Sequence, residues 1–270
     1  MDAPFTDILV PLDGSSSAER ALGPALDLVH RTGVPLRVLS RALPSDKEEL
    51  TEYLAGVADR FAGETDIETL VVDSDSIPDA IAQGIDLDTL VCMSSHGRGG
   101  LARAMIGSVA EALLRTMFQP ALVVGPLVSE GRSLAGRVVA CIDGSDESQR
   151  TIEPARRWAQ LLGAPLWLVE VAEPDAAVEL AKAGDVFETA EVARVARRVG
   201  GVDGWDVLHG TDPARALADL AASTAEATAL LVMATHGRTG WDRVRLGSVT
   251  ASTVHHATAP VLVVPAGPPR

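Results

Sequence analysis

The sequence predicts a tandem α/β protein, in which a five-stranded parallel sheet flanked by helices occurs twice along the chain. The first observation behind this is an internal repeat that covers nearly all of the 270 residues. The second is the alternation of short, continuously apolar runs with amphipathic segments in each copy, which is typical of buried parallel strands joined by helices. The third is a glycine- and serine-containing loop at the corresponding place in each copy.

The repeat consists of landmarks that recur in the same order. The segment ILVPLDGS, which ends at Ser15, returns 130 residues later as VVACIDGS, which ends at Ser145. The segment MSSHGRGG, which starts at Met93, returns 140 residues later as MATHGRTG, which starts at Met233. Insertions in the second copy account for the larger offset. A fixed order of such landmarks predicts one fold used twice.

A polar, glycine-containing stretch, SEGRSLAG at residues 129–136, separates the copies and predicts a linker. The domains are therefore expected at residues 1–130 and 136–270. Within the first copy, Pro24 falls inside an expected helix, where proline weakens or kinks the chain. The apolar runs predict strands at 8–12, 35–42, 67–73, 89–93 and 121–124, and helices from Ser15 through 29, over 50–61, from 78 and over 107–118.

Composition excludes several classes of protein. The net charge is −14 and the sequence holds no visible basic face, which argues against nucleic acid and membrane surfaces as partners. The start of the chain resembles no secretory signal, and no apolar run reaches the length of a spanning helix, so a cytoplasmic protein is expected. The two cysteines, Cys92 and Cys141, form no CxxC pair, and free thiols are expected in place of a disulfide or a zinc site.

The loop that follows the fourth strand carries the chemistry. In the first copy Gly97 is followed by nine residues and then Gly107-Ser108, and in the second copy Gly237 is followed by nine residues and then Gly247-Ser248. Glycine lets the backbone approach a ligand closely, and the amides at the start of a helix point outward with the positive end of its dipole. The pattern predicts a phosphate site in each copy, with an ordinary helix cap as the alternative.

Two further residue types lie in these loops. Asp13 and Asp143 each follow a buried strand. A carboxylate there can accept a hydrogen bond from a ribose hydroxyl or help to hold a metal near phosphates. Alternatively, it can form an Asx turn. Both interpretations stay open. His96 and His236 belong to no metal or nucleophile motif, and a structural role is favoured for them. No catalytic residue and no metal ligand is assigned.

These segments resemble the universal stress protein family. The VPLDGS turn, the paired SHGRGG and THGRTG loops, the nine-residue spacer to GS and the closing P-x-LVV strand carry the resemblance, which covers nearly the whole chain twice in the tandem-domain form. It implies two Rossmann-like, adenine nucleotide hydrolase-like domains. It also implies fifth strands that pair domains into dimers or pseudo-dimers, here expected as a homodimer, and bound ATP, with or without Mg²⁺.

The resemblance to the ATP-binding branch also implies the contact residues. Adenine is expected near strands one and two, and the phosphates on the glycine loop. In the first copy the implied contacts are Pro11, Asp13, Met93, Gly97, Gly107, Ser108 and Val109, and in the second they are Asp143, Val171, Met233, Gly237, Gly247, Ser248, Val249 and Thr250.

The chain departs from the family pattern at four positions. The first glycine of the motif is Ser94 in one copy and Ala234 in the other. Arg41 stands where the family usually places an apolar residue beside adenine, and Cys141 stands where the first copy has Pro11. The two sites therefore carry different departures.

These observations predict a nucleotide-binding stress or signalling regulator that is not an enzyme. Two alternatives remain. One is a ligand-free scaffold of the same family that acts through dimerisation. The other is a slow ATP-hydrolysing enzyme of the related fold, against which the missing SGGxDS-type and HIGH-type motifs count.

Overall fold

A computed structural model describes residues 3–43, 45–96, 106–172, 186–223, 225–235 and 246–265, with side chains from 192 onward in the fourth of these ranges. The strands of the first copy are β1 (Asp7–Pro11), β2 (Leu36–Ala42), β3 (Ile67–Asp73), β4 (Thr89–Ser94) and β5 (Ala121–Val124). Its helices are α1 (Ser16–Glu19), α2 (Leu22–Thr32), α3 (Lys47–Phe61), α4 (Ile77–Gly84) and α5 (Ser108–Thr116).

The second copy repeats this order. Its strands are β6 (Arg137–Ile142), β7 (Leu166–Ala172), β8 (Gly204–His209), β9 (Thr228–Ala234) and β10 (Val261–Val264). Its helices are α6 (Asp146–Gln149), α7 (Ile152–Leu162), α8 (Val186–Val199), α9 (Pro213–Ala222) and α10 (Ser248–His256). The tandem α/β fold that the sequence predicts is confirmed. In the described part of the chain, no helix is long and apolar enough to cross a membrane.

The ten strands of the described residues form one continuous sheet, in the order β3-β2-β1-β4-β5-β10-β9-β6-β7-β8. Within each copy the five strands are parallel. The copies join where β5 and β10 pair antiparallel, with Leu122 opposite Leu262. The chain is thus a pseudo-dimer of its own two halves.

This junction corrects the expected homodimer through the fifth strands. Both fifth strands are interior strands of the sheet, because β5 lies between β4 and β10, and β10 lies between β5 and β9. Their backbone groups are therefore already used on both sides, and a second chain finds no free edge there. Among the described strands, β3 and β8 are the outermost strands of the sheet.

The helix expected from Ser15 through residue 29 is in fact two helices. Ser15 caps α1, since its hydroxyl accepts the amide of Ala18, and α1 ends before Arg20. Leu22 begins α2, so Pro24 lies in the first turn, where its missing N–H removes no helical hydrogen bond. The same break places Pro154 in the first turn of α7.

Helices cover both faces of the sheet. One apolar cluster packs α2, α3, α7 and α8 on one face, and a second packs α4, α5, α9 and α10 on the other. Every residue of β6 is buried, as expected for a strand covered on both sides. We call the side that carries α4, α5, α9 and α10 the second face.

The segment expected to be a linker is packed against both copies. Leu134 is buried, and its amide donates to a carboxylate oxygen of Asp27 in α2 at 2.9 Å. Arg132 reaches the other copy, where it donates to the carbonyl of Thr228 at 2.8 Å. The stretch therefore fixes the two copies to each other.

Candidate functional site

Each copy brings those of its predicted contact residues that the structure describes to the carboxyl ends of its central strands. In the first copy the strand order reverses between β1 and β4, which is where open parallel sheets bind ligands. Pro11 and Arg41 follow Leu9 and Leu39 by two residues, and both leucines belong to the second-face cluster, as does Met93. Since side chains alternate along a strand, all three contact positions lie on the second face.

Gly107 docks the start of α5 directly on the end of β4. Its amide donates to the carbonyl of Ser95 at 2.8 Å, and the amide of Ser95 donates to the carbonyl of Val124 at 2.9 Å. A Cβ at position 107 would lie 3.0 Å from the Ser95 carbonyl oxygen. Glycine is therefore what allows this close approach.

The first turn of α5 offers backbone donors. The N-cap residue is Gly107, and among the described residues no side chain caps this helix; its first helical hydrogen bond runs from the amide of Glu111 to the carbonyl of Gly107 at 2.9 Å. Ser108 is exposed and Val109 is half-buried. A helix start with glycine at its N-cap and an exposed serine on its first residue is a place where phosphate oxygens are favoured.

The second copy reproduces this arrangement. The amide of Gly247 donates to the carbonyl of Thr235 at 2.7 Å, and no side chain in the described part of the chain caps α10. Ser248 and Val249 are exposed. The same docking in two independent stretches of sequence shows that it belongs to the fold of each copy.

Thr250 serves the structure of this turn. It is buried, and its hydroxyl donates to the carbonyl of Ala234 at 2.8 Å, which ties α10 to the end of β9. The first copy has Ala110 at the corresponding position, without a hydroxyl. The proton of the Thr250 hydroxyl is therefore engaged within the protein.

Both loop aspartates form Asx turns. One carboxylate oxygen of Asp13 accepts a hydrogen bond from the amide of Ser15 at 3.0 Å and another from the hydroxyl of Ser15 at 2.6 Å. Asp143 does the same for Ser145 at the same two distances. The Asx-turn alternative thus describes one oxygen of each carboxylate, and a ligand role for these groups stays a prediction.

The side chains that line the expected base position differ between the two copies. In the second copy Cys141, Val171 and Met233 lie on the second face and form an apolar wall. Burial raises the pKa of the Cys141 thiol to about 12, so that the side chain stays neutral. In the first copy Arg41 occupies the place of Val171, and its Nε donates to the carbonyl of Ser74 at 2.8 Å.

Three histidines meet beside the first site, a contact that the sequence did not reveal. The ring of His96 lies 5.9 Å from that of His255, which lies 4.9 Å from that of His256. His96 follows β4 and also contacts the Ser95 hydroxyl at 3.0 Å through Nδ1. The Nδ1 of His255 is buried and has no hydrogen-bond partner among the described residues. Burial lowers the pKa of His255, and its two histidine neighbours lower it further.

Several predicted positions fall outside the described residues. These are Gly97, Gly237 and His236. Ser94 and Ala234, which replace the first glycine of the motif, end β4 and β9 and are half-buried. Among the described residues no group of three or more histidine, cysteine or acidic side chains is arranged to hold a metal ion.

Comparison with known proteins places this geometry in a family. The model of the universal stress protein family matches residues 4–125 and 135–265. The universal stress protein Rv2005c of Mycobacterium tuberculosis is 27% identical over 277 residues, which cover 97% of this chain and 89% of that protein. A crystal structure of a universal stress protein from Archaeoglobus fulgidus has 19% identity and a TM-score of 0.69, covering 98% of both chains.

A shorter relative has been solved with a ligand. This universal stress protein, crystallised in complex with cAMP, is 27% identical, covers 48% of this chain, is itself covered to 95%, and has a TM-score of 0.36. The two family matches fall on the two copies of the repeat, one on each. The chain therefore belongs to the universal stress protein family, in its tandem-domain form.

Proposed function

We propose that the chain is an ATP-binding protein that acts as a nucleotide-dependent regulator of stress or signalling. One observation carries the proposal: in both copies a helix start whose N-cap is glycine is docked by the amide of that glycine on the end of the fourth strand. This places backbone donors and a helix dipole at a position where negative charge is stabilised. ATP supplies that charge through its phosphates.

The width of the sheet suits a nucleotide. Neighbouring strands are about 4.8 Å apart, so β2 lies about 10 Å from β4 across β1. A nucleotide whose phosphates lie at the start of α5 therefore reaches β2 with its base. On this path lie the half-buried Pro11 at the end of β1 and the apolar core residue Met93 on β4, and in the second copy Cys141 and Met233.

The polar groups of the site support binding more than catalysis. Asp13 and Asp143 each use one oxygen to hold a turn, and the Thr250 hydroxyl holds a helix. Ser95, although it contacts His96, is 1% exposed, so a substrate cannot reach its hydroxyl as a nucleophile would require. We therefore propose that the protein is not an enzyme and that ligand occupancy changes what it contacts.

Charge and thiols bear on partners and location. A net charge of −14 disfavours binding to nucleic acid and to anionic membrane surfaces. Cys92 and Cys141 are free thiols, as suits a reducing compartment. We propose a cytoplasmic protein whose small-molecule partner is a nucleotide.

Exposed serines at the helix starts allow a direct test. Ser108→Glu and Ser248→Glu each place a carboxylate on the first residue of a helix, where the dipole tolerates it but phosphate is repelled. Equilibrium dialysis, carried to ATP concentrations that fill the weaker site as well, is expected to show two sites per chain in the unmodified protein and one in each variant. The double variant is expected to bind none.

Ala225→Glu provides the control for added charge. Ala225 is exposed and precedes β9, at the amino end of that strand, whereas the helix starts lie at the carboxyl ends. The same added carboxylate is therefore expected to leave binding unchanged. If the unmodified chain binds no ATP, or if the double variant binds as much as the control, the proposed phosphate sites are wrong.

A further inference from the structure

The two copies differ in chemistry where the base of a nucleotide would lie. Arg41 and Val171 correspond through the 130-residue offset, and each is the sixth residue of its strand, on the second face. Both are half-buried. One site thus has a guanidinium and the other an isopropyl group at the same place.

The guanidinium of Arg41 is held in position. Its Nε donates to the carbonyl of Ser74, just beyond β3, at 2.8 Å. Nowhere in the described part of the chain does a carboxylate lie within 4.0 Å of Arg41, in contrast to Arg37 on the same strand, which pairs with Asp7. Among the described residues the two terminal nitrogens of Arg41 have no carboxylate partner, and they lie where β2 and β3 end, on the β3 side of the expected base position.

Purine bases differ in what they offer to such donors. Guanine presents two adjacent acceptors, O6 and N7, which an arginine fork binds with two hydrogen bonds. Adenine presents N7 beside an exocyclic amine, which is itself a donor and leaves one of the arginine donors unmatched. Covering a charged donor without an acceptor is unfavourable, so the fork selects against adenine.

The second copy lacks this selection. Val171 has no donor, and the neighbouring Cys141 is neutral because burial raises the pKa of its thiol. Adenine therefore meets an apolar wall there without an unmatched donor.

We propose that the first copy selects a guanine nucleotide through Arg41, whereas the second copy takes the adenine nucleotide. The inference rests on the proposed function, since it requires that both helix starts bind nucleotide phosphates. Arg41 acts as a specificity-determining residue, and Val171 is its counterpart in the second copy. One chain would then respond to two nucleotides.

Reciprocal exchange of the two residues tests the proposal. Calorimetric titrations with GTP and with ATP are made on the full chain with one site blocked at a time, by Ser248→Glu or by Ser108→Glu. With the first site open, GTP is expected to bind about 5- to 150-fold more tightly than ATP, the range of one bidentate arginine–guanine pair. Adding Arg41→Val is expected to abolish that preference.

The converse exchange controls for damage to the fold. With the second site open, ATP is expected to bind more tightly than GTP, and adding Val171→Arg is expected to shift the ratio toward GTP. If the ratio of GTP affinity to ATP affinity at the first site is the same with and without Arg41→Val, the inference is overturned. The proposed function is still upheld in that case, provided that the chain binds ATP. If neither nucleotide binds the unmodified chain, both are overturned.

Discussion

The junction between the copies depends on a glycine, and its replacement by alanine tests that dependence. Gly125 directly follows β5 and is buried against the last turn of α10. A Cβ at this position would lie 2.0 Å from the carbonyl oxygen of Val254 and 3.2 Å from its carbonyl carbon. Both partners are backbone, so no side chain can rotate away, and α10 has to move by about 1 Å from the end of β5.

Forced displacement of this kind in a packed interior lowers the free energy of unfolding by about 1–3 kcal/mol, and we expect the effect of Gly125→Ala to lie at the upper end of that range. For a chain of this size about 3 kcal/mol lowers Tm by roughly 6 to 12 °C. Gly56→Ala is the matched control, because Gly56 lies inside α3 and a Cβ there meets no atom within 4 Å. The control is expected to gain about 0.5–1 kcal/mol from helix propensity.

Urea unfolding followed by circular dichroism measures both variants against the unmodified chain. A change of opposite sign in the two variants is the expected result, since the chemical substitution is the same and the surroundings differ. If Gly125→Ala unfolds within a few tenths of a kcal/mol of the unmodified chain, the close contact between β5 and α10 described above is refuted.

Three further outcomes follow from the structure. Gly107→Ala is expected to lower the free energy of unfolding by about 1 kcal/mol, because the Ser95 carbonyl oxygen, 3.0 Å from the new Cβ, has to move. The variant is also expected to weaken nucleotide binding at the first site alone, which dialysis in the Ser248→Glu background measures. In the folded chain the pKa of His255 lies below its ordinary value of 6.5. Unfolding therefore takes up a proton just under pH 6.5, and the free energy of unfolding falls on acidification there. His255→Gln should flatten that part of the profile of urea-derived stability against pH, and an unchanged slope contradicts this. The two cysteines are buried and burial raises both thiol pKa values, so a thiol reagent at pH 8 is expected to label neither until the chain unfolds, and rapid labelling would be inconsistent with this packing.

Most strands could be predicted because they are buried on both sides. Ala121–Val124, all of whose residues are buried, was predicted with the bounds that the structure gives it, since continuous apolar runs bounded by turns mark parallel strands. Ile67–Asp73 was also predicted with its observed bounds, although it is an edge strand without a buried residue. The break between α1 and α2 was not predicted, because the residues around Arg20 carry no breaker of their own. Pro24 was the available signal: proline is tolerated in a first turn, so a new helix had to start shortly before it.

The local geometry of the site could be predicted, and its long-range contacts could not. Spacing alone placed Gly107 at a helix start, because a glycine followed by a serine and an amphipathic run is a local signal. The contact between His96 and His255 joins the two copies, and the bond from Arg41 to Ser74 joins two strands. Such contacts follow from tertiary packing, which no periodicity in a single segment encodes.

Fusion of the copies explains how the two sites can differ. In a homodimer each substitution appears in both subunits, so a change that suits one site is imposed on the other. Here β5 and β10 pair within one chain, and each half is encoded separately. The first copy can therefore have Arg41 where the second copy has Val171. Likewise, His255 of the second copy lies beside the first site, whereas the equivalent residue of the first copy is Arg115. The antiparallel junction keeps the geometry of a symmetric pair, while the sequence of each half can change independently.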